Sequence, residues 1–257
     1  MSIDAALLNK LNKIDSVSGN EKAISLSLKS EYEKLADEVI YDNLGSIFAV
    51  KKSKSNHAPH VMIVGHMDES GFIVKKINKN GIIKALALGN VSEKSLLGAT
   101  LKLKTRDGKE TIGTIVAYDE KGNVLDEAKE VCVDFGFENN EEVTNYGVNY
   151  GDRLSFVSMI KSSPNKNRMF SKNWNGRYAP LMGLEILRLV QDMDFDFDLY
   201  VGCTVQEQVG FRGIQTATNL VKPDLGIVLD TNKAFDYQQD LKEENGALGK
   251  GVLINFY

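Results

Sequence analysis

Cysteine is scarce in this sequence: among 257 residues only Cys132 and Cys203 carry thiols, each inside its own apolar run, with no CxxC or Cys/His spacing. That scarcity excludes a disulfide framework and a cysteine-held metal cluster, and it predicts two reduced, buried thiols with no nucleophilic role. Long apolar runs are missing too. Stretches such as Val61–Val64 and Leu225–Leu229 fall far below the roughly 20 residues that span a bilayer, so no membrane partner is expected. The N-terminal MSIDAALLNKLNKID is an amphipathic helix pattern bearing acids. It lacks the basic and apolar regions of a secretory signal, which points to a cytoplasmic protein. Positive charge is not in surplus: 31 Lys and Arg stand against 35 Asp and Glu, and no basic run is interleaved with aromatics, so no nucleic-acid partner is expected. With 42% hydrophobic and 26% charged residues and no Pro, Gly or Ser tract, the chain reads as folded and globular.

What is present is an α/β texture with an interruption. Apolar positions at helical spacing predict helices over Ile3–Ile14 and Glu21–Ala36, with a capping break at Ser18-Gly19-Asn20 between them. Short strands follow at Val39–Tyr41 and Ile47–Val50, and HVMIVG over His60–Gly65 reads as a strand buried on both faces. From Gly71 to Val157 the pattern becomes short alternating strands joined by Asn80-Gly81 and Asp107-Gly108 turns, with one short helix near Glu141–Tyr146. After a polar stretch over Lys161–Arg168, helices over Tyr178–Met193 and Gly213–Leu220 alternate with strands over Asp198–Val205 and Leu225–Asp230. The division is therefore residues 1–70 and 164–257 as one α/β domain, with residues 71–163 as a β-rich insert.

Three polar clusters stand at expected strand ends, where ligands gather in open α/β sheets. They are His66-Met67-Asp68-Glu69, Gln206-Glu207-Gln208 and Asp230, with a fourth polar turn at Asn173-Trp174-Asn175-Gly176-Arg177. A strand-end histidine two residues from an aspartate is a ligand-and-orienter spacing, because a carboxylate can fix the free ring nitrogen. Each such residue alone is more often a cap or a satisfied polar group than a ligand, and spacing by itself names no enzyme.

Several runs occur in a specific order: Ser16-Val17-Ser18-Gly19, Asp42-Asn43-Leu44-Gly45-Ser46, Gly65-His66-Met67-Asp68-Glu69, Ser95-Leu96-Leu97-Gly98, Gly147-Val148-Asn149-Tyr150-Gly151-Asp152, Thr204-Val205-Gln206-Glu207 and Leu248-Gly249-Lys250-Gly251. In that order the chain resembles the glutamyl and deblocking metallo-aminopeptidases whose members build tetrahedral particles, a family also named as cellulases. The resemblance implies a zinc-peptidase-like mixed sheet flanked by helices, interrupted by a small β-rich dimerisation domain. It also implies homo-oligomers acting on peptide N-termini with two divalent ions, zinc or cobalt. Carried over by position, His66 binds the first metal, Asp68 orients it, Asp230 is a further ligand of that metal, and Glu207 is the general base that deprotonates the attacking water.

Two positions depart from that pattern. Asn175 stands where the family has its bridging aspartate, and Gln208 where a glutamate binds the second metal. A histidine that the family supplies to the second metal from near its C-terminus has no counterpart among His57, His60 and His66. With both carboxylates replaced by amides, Asp230 alone offsets the charge of the ions, and one asparagine carbonyl cannot bridge two cations as a carboxylate does. At most one divalent ion is expected. The reading is a metallo-aminopeptidase-like protein with impaired or lost activity, and its alternative is a non-catalytic assembly subunit. If relatives extend the sheet beyond the strand predicted to begin near Val252, the chain should also expose an apolar edge.

Overall fold

A computed structural model describes residues 4–91, 95–117, 129–157, 159–234 and 246–254. The chain opens with α1 (Ala5–Asn12) and α2 (Lys22–Tyr32), both shorter than their apolar periodicity predicts. Asp4 caps α1, its carboxylate accepting the Leu7 amide at 2.9 Å. Strands β1 (Glu38–Tyr41), β2 (Ile47–Lys51) and β3 (His60–His66) follow. Past the β-rich segment come α4 (Tyr178–Leu189), β12 (Asp198–Thr204), α5 (Arg212–Val221) and β13 (Leu225–Val228).

These strands make one mixed sheet in the order β1-β2-β12-β3-β13. Strands β12, β3 and the edge strand β13 run parallel, and β2 runs antiparallel to both of its neighbours, β1 and β12. Helices α1, α2 and α4 bury Leu8, Leu11, Ile24, Leu28, Leu184 and Leu187 against one face. Helix α5 places Ala217 and Val221 against Phe48, Val50, Met62 and Val64 on the other. Burial on both faces explains why β2 and β3 read as continuous apolar runs instead of alternating ones.

All six strands of a closed barrel lie between Gly71 and Phe156: β4 (Gly71–Ile77), β5 (Ile83–Leu88), β6 (Thr100–Lys104), β7 (Glu110–Ala117), β8 (Glu130–Asp134) and β9 (Arg153–Phe156). Alternate residues such as Phe72, Val74, Leu101, Leu103, Ile115 and Leu154 fill it. The expected short helix is α3 (Asn140–Tyr146), which ends on Gly147 at φ 107°. Cys132 lies on β8 and Cys203 on β12, both buried and unpaired with each other. None of the described helices is long and apolar enough to cross a membrane.

Two expectations change. The polar stretch after the barrel folds into a small ribbon of β10 (Lys161–Ser162) and β11 (Met169–Phe170), paired antiparallel. No strand begins at Val252: residues 252–254 lie outside any strand and are 84%, 51% and 71% exposed. An apolar run becomes a strand only when a ladder takes its backbone groups, and the outer edge of β13 does not take these. That edge exposes Leu225, Ile227 and Val228, the apolar rim anticipated from the sequence.

Candidate metal centre

Strand register brings the polar clusters together. Thr204 at the end of β12 pairs with His66 at the end of β3, and Val228 at the end of β13 pairs with Val64. Chain leaving these three parallel strands therefore emerges at one rim, carrying His66 to Glu69, Gln206 to Gln208, and Asp230. The turn before α4 adds Asn175 from the side.

His66 is 1% exposed. Its Nδ1 faces the Asp68 carbonyl oxygen at 3.0 Å and an Asp68 carboxylate oxygen at 3.4 Å. Two acceptors on that side fix the proton on Nδ1, leaving the Nε2 lone pair free. Nε2 is buried without a hydrogen-bond partner, 3.5 Å from Glu207 Oε1 and 3.9 Å from Asp230 Oδ1. His66, Glu207 and Asp230 can each offer one ligand atom within 4.8 Å of one another. The imidazole and the Asp230 carboxylate, with the Glu207 carboxylate beside them, suit a divalent ion such as zinc or cobalt, and the orphaned nitrogen is the observation that makes the set fit.

Asp68 is fully buried and orders the centre. Its carboxylate accepts the amides of Glu207 and Gln208, each at 3.0 Å, and the Ser18 hydroxyl. Burial opposes its charge, yet the hydrogen bonds from His66, Ser18 and Gln208 prevail and hold it below the usual carboxylate range. Burial likewise opposes charge on His66, but the Asp68 hydrogen bond and the Glu207, Asp68 and Asp230 charges lift its pKa. Burial raises Glu207, the nearby His66 offsets part of that rise, and Asp230 and Asp68 add to it.

Asn175 and Gln208 do not point free oxygens at this cluster. Ser70 donates to Gln208 Oε1 at 2.9 Å, Gln208 Nε2 donates to Asn175 Oδ1 at 3.1 Å, and Asn175 Nδ2 donates to Asp230 Oδ1 at 3.1 Å. A chain of amide hydrogen bonds occupies the place where a second set of carboxylates is expected. Both amide oxygens are used, and an N–H reaches Asp230. These residues do not fit a second cation.

The supporting roles of several residues escaped the sequence reading. Arg177, buried with 0% exposure, donates to the carbonyls of Leu11 (3.2 Å), Ile14 (2.9 Å), Met67 (3.0 Å) and Gly176 (3.1 Å). Lys172 reaches Glu69 at 3.2 Å, and Glu69 accepts the Ser16 amide at 2.7 Å. Ser18 does not cap α2; its hydroxyl serves Asp68 instead, and Glu21 accepts the Gly19 amide at 2.8 Å and the Gln206 amide at 3.0 Å. Trp174 packs against the α/β core. Gly176 sits at φ 87°, where a Cβ would meet the Asp68 carbonyl oxygen at 2.2 Å. Non-glycine residues Asn173, Gln206 and Phe211 also have positive φ and frame the same rim, so backbone strain concentrates there.

A buried histidine with a free nitrogen, two facing carboxylates and an orienting aspartate, all at the carboxyl rim of a mixed sheet, define a metallopeptidase-type α/β scaffold. The chain belongs to the M42 glutamyl aminopeptidase family, which matches residues 45–257. It is 32% identical over 254 residues to the glutamyl aminopeptidase of Lactococcus lactis subsp. cremoris, covering 96% of this chain and 71% of that protein. It is 27% identical to the lysyl aminopeptidase of Pyrococcus furiosus, covering 98% of this chain and 73% of that protein. Among solved structures, an aminopeptidase of the archaeon Desulfurococcus kamchatkensis superposes with a TM-score of 0.87 at 28% identity, covering 96% of this chain and 68% of that one. Other relatives are matched over slightly less than two thirds of their length, 65% and 66% in two cases.

Proposed function

We propose that this chain carries the one-cation half of an aminopeptidase centre and that its capacity to release N-terminal residues from peptides is strongly reduced. The observation that carries this reading is the hydrogen-bonded chain Ser70–Gln208–Asn175–Asp230, which fills the neighbouring carboxylate positions with amides. His66 and Asp230 would hold a divalent ion, zinc or cobalt. Such an ion supplies Lewis acidity toward a peptide carbonyl and toward water. Asp68 keeps the His66 ring oriented through Nδ1, which leaves the Nε2 lone pair available to such an ion. Glu207, half-buried and with its pKa raised, is placed to take a proton from the attacking water and pass it to the departing amine. Asp68 also seats that base by accepting the Glu207 amide.

The test is metal analysis and aminoacyl-substrate turnover of the wild type beside Asn175→Asp/Gln208→Glu. The wild type should bind no more than one ion and turn over poorly, and the double variant should bind more. Robust zinc- or cobalt-dependent turnover by the wild type would overturn the reading, as would a double variant that gains no metal.

A second reading, a role as an assembly subunit, is favoured by the barrel surface: Ile112 and Val116 on β7 are 59% and 47% exposed. The inserted barrel, residues 71–163, would then pair with itself or with an intact relative. Light scattering that gives a monomer mass at micromolar concentration, alone and in such a mixture, would remove it.

A further inference from the structure

We propose that the cleft between the Lys13–Ala23 segment and the barrel is a binding site for a small oxyanion, separate from the His66 centre. The cleft measures about 590 Å³, within the range of small-molecule sites, and none of His66, Asp68, Asn175, Glu207, Gln208 or Asp230 lines it.

Its charges are unequal. Five cationic and three acidic side chains line it, an excess of two cations. The acids are already matched: Asp15 with Lys102 at 2.5 Å, Glu110 with Lys104 at 3.1 Å, and Asp152 with Arg106 at 3.6 Å. Lys13 and Arg153 remain. Lys13 is exposed and makes no ion pair among the described residues. Arg153 donates from Nη1 to the Gly151 carbonyl, but its Nε is buried and has no hydrogen-bond partner. Burial lowers the Arg153 pKa, and the charges of Glu21 and Asp152 oppose that fall. Of these, Glu21 already spends an oxygen on the Gly19 and Gln206 amides. The partly buried guanidinium of Arg153 and the Lys13 ammonium, which has no ion pair among the described residues, both line this cleft, and together they are the kind of donor set that phosphate and carboxylate groups recognise.

Gly19 shapes the wall. A side chain there would begin 3.3 Å from Arg153 Nη2, so the glycine leaves the guanidinium room at the cleft. The same loop holds Ser18, which donates to Asp68, so a ligand against Arg153 would brace the loop from its barrel side.

The experiment is titration calorimetry of the full chain with inorganic phosphate and, separately, citrate, at constant ionic strength and with chelator present. Saturable binding of either anion is expected. Phosphate alone would mark a phosphorylated ligand, and citrate alone a carboxylated one. Affinity should fall about tenfold or more in Lys13→Ala and in Arg153→Gln, and stay within about twofold in His66→Ala. If Arg153→Gln does not fold, the exposed Lys13→Ala gives the same reading. No saturable heat with either anion, wild-type affinity in Lys13→Ala, or loss of binding in His66→Ala would each overturn the proposal. The outcome does not depend on peptidase activity.

Discussion

Replacing Arg177 by lysine keeps the charge and removes the fork, and it should destabilise this protein more than any surface change. The guanidinium has 0% exposure and serves four carbonyls, those of Leu11, Ile14, Met67 and Gly176. Those carbonyls come from three separate stretches: the end of α1, the turn after β3, and the turn before α4. A single ammonium can reach one or two of them, leaving at least two buried acceptors unmet at about 1–3 kcal/mol each. Glu69, 3.6 Å from Arg177, keeps Lys172 at 3.2 Å and is not left uncompensated. The expected loss is about 3–5 kcal/mol, within the range for breaking a buried charged network. Urea unfolding followed by fluorescence of Trp174, the single tryptophan, reports locally, because Trp174 accepts the Arg177 amide at 3.2 Å. Far-UV circular dichroism reports the whole chain. A shift below about 1 kcal/mol by both probes would refute the assignment of Arg177 as the clasp of the three stretches.

Asp15 ties the α/β part to the barrel through Lys102 at 2.5 Å and Ser155 at 2.8 Å, with Lys172 at 3.4 Å. Burial raises its pKa, but the Lys102 hydrogen bond and the Lys172 charge outweigh it and the net shift is downward. Its stabilisation is therefore present above the unfolded value near 3.9 and lost as pH falls through the lower folded value. Asp15→Asn should cost about 1–3 kcal/mol at pH 7, with the gap to the wild type closing only below about pH 4; a gap constant down to pH 2 would count against it. Gly176→Ala places a Cβ 2.2 Å from the Asp68 carbonyl oxygen at φ 87°, so a loss of about 2–4 kcal/mol in thermal unfolding is expected, and a neutral outcome would show that the turn moves freely. His66→Ala should abolish stabilisation by added zinc, measured as the shift in unfolding temperature, and an undiminished shift would place the ion elsewhere.

The α/β order, the β-rich interruption and the strand-end positions were legible because periodicity and turn residues state them locally. His66, Glu207 and Asp230 stand at or just after the ends of parallel neighbours, so a parallel arrangement of those three strands is enough to bring them together. What stayed hidden depends on distance in the chain. Nothing local to Arg177 announces that its partners lie 110 and 166 residues away. Ser18 looks like a helix cap by type and spacing, and only the fold shows that a buried carboxylate outcompetes the helix for its hydroxyl. The amide ladder was visible as two substitutions, but not as a closed chain of donors and acceptors. Helix ends were overextended at α1, α2 and α4 because apolar periodicity continues past the last backbone hydrogen bond.

The barrel leaves the sheet after Glu69 and returns at Lys172, and these two residues touch as an ion pair. Its entry and exit are thus drawn together beside the rim, like the neck of a purse. Torque applied to the barrel reaches the sheet through this neck, between the turn that carries Asp68 and the turn that carries Asn175, and through Asp15 on Lys102 and Ser155. Whatever seizes the barrel from outside has a mechanical grip on the centre.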